Sequence, residues 1–152
     1  MNEVFVLVIV LISVLSYVAL VTLLATFLPR LTQRGRQIVA EHPARTLLVG
    51  AIGWGIFGGL AAWFYSRTNP SAAYVALGLP ALVCLLGAPG LYTHIGNRIA
   101  ALRAREASAL WCVVVGTLVS LTAALFPFVG WFLVLPLLLA AEFGTGFRLL
   151  LR

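Results

Sequence analysis

Long apolar runs, separated by short polar or basic segments, make up nearly the whole chain. Val4 to Leu28 is interrupted only by Ser13, Ser16, Tyr17, Thr22 and Thr26, and further runs cover about residues 46–65, 72–92, 107–126 and 131–147. Runs of ~20 residues cross a bilayer core as helix. The pattern therefore predicts an all-α integral membrane protein, a single membrane domain over residues 1–152 with five transmembrane helices. Pro29 closes the first run, since proline lacks an N–H and disfavours helix in the residue before it. Ser66 to Ser71 (SRTNPS) predicts a tight turn around Asn-Pro, and Pro127-Phe128-Val129-Gly130 predicts another. Within the third span, Pro80 and the cluster Gly87-Ala88-Pro89-Gly90 predict a kink or break, and Pro136 interrupts the last span.

Charge orients these spans. The segment 29–45 carries Arg30, Arg34, Arg36 and Arg45, and the segment 93–106 carries Arg98, Arg103 and Arg105; the last span runs into Arg148 and Arg152. Basic loops are retained in the cytoplasm. Both segments become inner loops, the N-terminus lies outside and the C-terminus inside, with Arg67 alone on the outer side. A re-entrant last span is the competing arrangement, and it would move Arg148 and Arg152 outside. Leu31, Ile38 and Val39 lie near one helical face, so the segment 29–45 is either an amphipathic helix in the interface or a solvated basic loop. The inner-face arginines match anionic lipid headgroups or an acidic partner surface, although topological retention needs no ligand at all.

Composition narrows the class further. Of 152 residues, 62% are hydrophobic and 9% charged, too few charges to cover a soluble domain of this size. The formal charge of +6 comes from arginines beside apolar spans, not from a stripe on a folded face, which argues against nucleic acid. There is no Lys and no Asp. Arginine-only basic residues with abundant Ala and Gly go with a bacterial source, hence the inner membrane. The start MNEVF lacks a basic n-region, so a cleaved signal peptide is not expected.

Few residues offer chemistry. Cys84 and Cys112 fall inside spans as small packing residues without metal-ligand spacing, and no metal site is expected. No P-loop, dinucleotide fingerprint or catalytic triad occurs, so the protein is not expected to be an enzyme. Glu142 is the exception, a carboxyl inside the last span, where ionisable groups are costly. It is either a proton or cation site between helices, or a structural carboxylate paired with Arg148, Arg98 or His94. His42 and His94, both placed near the inner face, would be the axial ligands of a haem or pigment were one bound. Span two is rich in small residues: Gly50, Ala51, Gly55, Gly58 and Gly59 should face another helix, with Ala51, Gly55 and Gly59 in small-xxx-small register. Trp54 falls mid-span, whereas Trp63 and Tyr65 suit an outer aromatic belt. Thr46-Leu47-Leu48-Val49-Gly50 and Cys112-Val113-Val114-Val115-Gly116 each follow a basic segment, which suggests two parallel helical hairpins plus an added first helix.

From Pro29 onward the pattern resembles the multi-helix membrane domain that follows the polymer-forming β-helical region in some bactofilin-like bacterial proteins. The residues that carry it are FLPRLTQR leading to EHPARTLLVG, then GNRIA, FPFVGWFLVL and the late GTG. The resemblance implies a membrane anchor or scaffold without catalytic residues. No β-helical region precedes the membrane part here, so the expectation is the membrane module on its own, without polymer formation. Three functions stay open. The first is a non-catalytic scaffold, anchor or accessory subunit packed with other membrane subunits or with itself. The second is a small transporter or ion-conducting subunit using Glu142, with helices broken at Pro80, Pro89 and Pro136. The third is an electron-transfer subunit with haem or pigment at His42 and His94.

Overall fold

The computed structural model describes residues 2–67, 70–103 and 106–151. All regular structure among them is helical: α1 (Asn2–Phe27), α2 (Pro29–Glu41), α3 (Pro43–Ser66), α4 (Pro70–Leu102), α5 (Ala109–Leu125), a π-helical turn (Gly130–Val134) and α6 (Leu135–Leu150). Val4–Phe27, Pro43–Ser66, Ser71–Leu102 and Gly130–Leu150 are each long and apolar enough to cross a membrane, and α5 is a shorter apolar helix of 17 residues. These are the helices of a multi-pass membrane protein.

Local chemistry sets the boundaries. Pro29, Pro43 and Pro70 each open a helix, where the missing N–H costs nothing. Ser108 caps α5 by accepting a hydrogen bond from the Trp111 N–H at 3.3 Å. Between α5 and α6, Val129 N–H donates to the Pro127 carbonyl across Phe128, whose φ of 64° is an unusual value for a residue with a Cβ. Hydroxyls inside the spans donate to the carbonyl four residues back, as Thr22, Thr93, Thr117 and Thr145 do, so they leave no open polar group toward lipid.

Two expected loops are helical. Most of the first basic segment forms α2, an amphipathic helix and not a solvated loop, which buries Thr32, Gly35, Ile38 and Val39 against its neighbours. The second segment is largely the end of α4, which runs on to Leu102 without a break at Pro80 or Pro89. Its 33 residues span about 50 Å, more than a bilayer core of about 30 Å requires, so its last turns carry Arg98 and lead directly into Arg103. Before Pro136, which lacks an N–H, the chain widens into a π turn instead of breaking, and Leu135 N–H donates to the Gly130 carbonyl. The last helix therefore continues unbroken to the end that holds Arg148, whose Nη1 donates to Thr46 Oγ1 at 3.1 Å.

Glycines hold the bundle together. In lipid, association relies on close backbone packing, because lipid is as apolar as the side chains. Gly144, Thr145 and Gly146 stand about 100° apart around α6. A Cβ on Gly144 would overlap the Thr46 carbonyl of α3, and one on Gly146 the Val83 carbonyl of α4. Thr145, between them, packs beside Gly35 of α2, which itself meets Gly90 of α4. Two crossings share one design. Gly50 lies on the Ala140 carbonyl while Gly144 lies on that of Thr46; Gly116 lies on the Tyr92 carbonyl while Gly96 lies on that of Cys112. The repeat TLLVG and CVVVG thus corresponds to two equivalent close crossings, α3 with α6 and α5 with α4. They join the two hairpins to each other.

The face of α2 gives a direct expectation. Ile38 is 1% exposed, so Ile38→Ala should cost about 2–5 kcal/mol. Limited trypsin digestion in mild detergent should then cut after Arg34 or Arg36 faster than in wild type; unchanged cleavage would mean that α2 does not depend on this contact.

Candidate functional site

Glu142 is 4% exposed and belongs to the middle of α6. Tyr17 of α1 donates to its Oε1 at 3.1 Å, and Tyr92 of α4 donates to the same oxygen through a short hydrogen bond. The two phenol rings meet edge to face, with centroids 6.3 Å apart and planes at 89°. Tyr17, Tyr92 and Glu142 lie ten, ten and eight residues before the ends of α1, α4 and α6, about 12–15 Å from the basic end of the bundle. Val21 and Ala88, one helical turn from Tyr17 and Tyr92, are fully buried beside Val113 and seal this side.

The other carboxyl oxygen faces differently. Among the described residues Oε2 accepts no hydrogen bond, and no buried side-chain oxygen or nitrogen is left without a partner, so Oε2 opens to accessible space. That space is a cavity of about 410 Å³ with walls from α1, α3, α4, α5 and α6. Its lining is apolar apart from Glu142, the two tyrosines, Trp54 and Cys84. Trp54 Nε1 donates to the Leu139 carbonyl at 3.1 Å, and the Cys84 thiol points at the same oxygen at 3.7 Å. This explains a tryptophan at mid-span, since its N–H has an acceptor where lipid offers none.

The arrangement overturns the expected ion pair. Arg148 sits six residues beyond Glu142, about 9 Å along the helix, and is held by Thr46. His94 and Arg98 are on α4 beyond Tyr92, which reaches the carboxyl first. Two neutral phenols therefore replace the guanidinium. A carboxyl held in this way can carry a proton on Oε2 or accept a hydrogen bond from a cation there, while Oε1 stays fixed.

No family model, curated protein or solved structure matches the chain. The site rests on its own geometry.

The remaining expected residues divide clearly. Arg30, Arg34 and Arg36 project from α2, Arg45 from the start of α3, Arg98 and Arg103 from the end of α4 and the turn after it, and all are exposed at the same end as Arg148. Arg105 lies outside the described residues, as do Arg152 and the Thr68-Asn69 part of the outer turn. Beside Arg36, a cleft of about 250 Å³ opens between α1, α2, α4 and α5. Arg67 is at the opposite end, over the Trp63 ring at 5.7 Å. His42 is exposed in the single-residue link between α2 and α3, and His94 is half-buried on α4. Cys84 and Cys112 are free and buried on different helices, and among the described residues no group of three His, Cys, Asp or Glu side chains could hold a metal ion.

The small-residue ridge departs from expectation. Gly50 faces α6, and so does Gly53, which lies against the Phe143 ring. Gly55, Gly58 and Gly59 have no neighbour within 4 Å, and Ala51 is exposed. Thr46, Gly50, Gly53 and Phe57 fall on one face of α3 and take the contact with α6, which turns the Ala51-Gly55-Gly59 register outward. Tyr17, Tyr92, Trp54 and Cys84 were not singled out as site residues by the pattern alone. No local signal marks the pair: Tyr92 closes the predicted third span just as Tyr65 closes the second.

Proposed function

We propose that this chain is a small transport or ion-exchanging subunit of a bacterial inner membrane, whose Glu142 takes up and releases a proton or small cation inside the bundle. The observation that carries the reading is the carboxyl fixed at Oε1 by Tyr17 and Tyr92, with Oε2 open to a largely apolar cavity between the helices. Intramembrane carboxyls are rare and costly, and one without a guanidinium partner is poorly explained as a structural ion pair. The topology proposed with it has five spans, α5 included, with the N-terminus outside and the arginine-bearing end in the cytoplasm against anionic headgroups. No catalytic step is part of this reading.

A second reading, a non-catalytic scaffold, anchor or accessory subunit, is favoured by the outward ridge of Ala51, Gly55 and Gly59, which suits a helix of another subunit or a second copy. Flux assays in liposomes separate the two. Wild type should dissipate an imposed proton or cation gradient, and Glu142→Gln should abolish this while the protein still purifies as the same species. A stoichiometric partner in mild detergent, with no flux in its absence, would instead establish the accessory role.

A further inference from the structure

The cavity beside Glu142 has a chemistry that selects its occupant. At about 410 Å³ it falls in the range that holds small organic molecules. Water would find few partners along walls of Leu121, Ala124, Leu135 and Leu138. A metal cation needs several oxygen ligands. Here the phenol protons already serve Oε1, and the Leu139 carbonyl already faces Trp54 and Cys84. A pure hydrocarbon, such as a lipid chain, would fill the volume but leave Oε2 facing it without a donor, at the cost of an unmade hydrogen bond. An apolar body bearing a single ammonium group satisfies both demands. The ammonium donates to Oε2, and the rings of Tyr17, Tyr92 and Trp54 add their attraction for a cation.

We infer that this cavity is a binding site for a small lipophilic amine, held by its ammonium head on Glu142 Oε2 with its apolar body among Leu121, Ala124 and Leu138. The inference rests on the reading of Glu142 as an exchangeable site and names the class of cation it takes.

Equilibrium dialysis of the full chain in lipid nanodiscs, with radiolabelled 2-phenylethylamine as probe, tests it against ethylbenzene and phenylacetate, which share the ring but not the charge. The amine should bind saturably, at least about tenfold more tightly than ethylbenzene, the worth of one charge-assisted hydrogen bond, and phenylacetate should not bind. Ala124→Phe, which fills the cavity without touching the carboxyl, should remove amine binding, and Glu142→Gln should weaken it by about tenfold. Ethylbenzene binding as tightly as the amine would show a merely apolar cavity and overturn the inference. So would the absence of saturable amine binding, or binding indifferent to Ala124→Phe. Because the probe series uses the wild-type chain, the comparison of ligands remains decisive even where a variant fails to assemble. Glu142-dependent proton flux without amine binding sinks this inference alone, whereas amine binding without flux sinks the exchange reading and leaves the binding site.

Discussion

Gly50→Ala and Gly87→Ala should each abolish the stable folded form or lower its melting temperature by about 6 °C or more, while Gly55→Ala should leave it unchanged or slightly raised. The three substitutions add the same methyl group to an apolar helix. They differ only in what the methyl meets. At Gly50 it would collide with the Ala140 carbonyl, and at Gly87 with the Glu142 carbonyl and the Gly146 nitrogen, so no flexible side chain can yield. Overpacking of this kind typically costs about 1–3 kcal/mol, and more where backbone meets backbone. At Gly55 there is nothing within 4 Å, so only the gain in helix propensity remains. Thermal unfolding in one detergent, followed by size-exclusion chromatography, makes the comparison. If Gly50→Ala proves as stable as Gly55→Ala, the close crossing of α3 and α6 is wrong.

Glu142→Ala should destabilise the bundle more than Tyr92→Phe, and the two changes should not add. Removing the carboxyl leaves two phenol donors, Tyr17 and Tyr92, without an acceptor in a dry interior, each costing about 1–3 kcal/mol. Removing one phenol leaves Oε1 still served by Tyr17, and single hydrogen bonds inside membranes average near 0.6 kcal/mol, up to about 1.7. In a double-mutant cycle the coupling should therefore fall at about 0.6–1.7 kcal/mol, outside the ~0.3–0.5 kcal/mol within which independent sites add. Simple additivity would mean that Tyr92 and Glu142 do not act as a pair.

Both expectations depend on contacts of very different legibility. Gly144 and Gly146 were visible as a GTG near the end of the chain, yet their opposite directions follow only once α6 is placed between α3 and α4. The ridge Ala51-Gly55-Gly59 has the better register on paper, and it is the one left without a neighbour, because Gly50 and Gly53 fit α6 first. Glu142 stood out because a charge in an apolar run is conspicuous whatever surrounds it. Its partners did not stand out, since Tyr17 is 125 residues away in sequence and Tyr92 is 50. A phenol in an apolar run is ordinary, and nothing local distinguishes one that reaches a carboxyl from one that anchors at an interface.

The chain by itself determined its class, its helical periods and the gathering of most of its described arginines at one end, because these follow from the cost of placing charge and open backbone in lipid, which each segment incurs independently. Tertiary structure alone decided that the first basic segment packs as a helix, that Glu142 meets two phenols and no guanidinium, and which glycines are buried. Those outcomes turn on the order in which neighbouring helices claim a shared face. In lipid that order is set by shape at the crossing, and shape is a property of pairs of helices that no single run of residues contains.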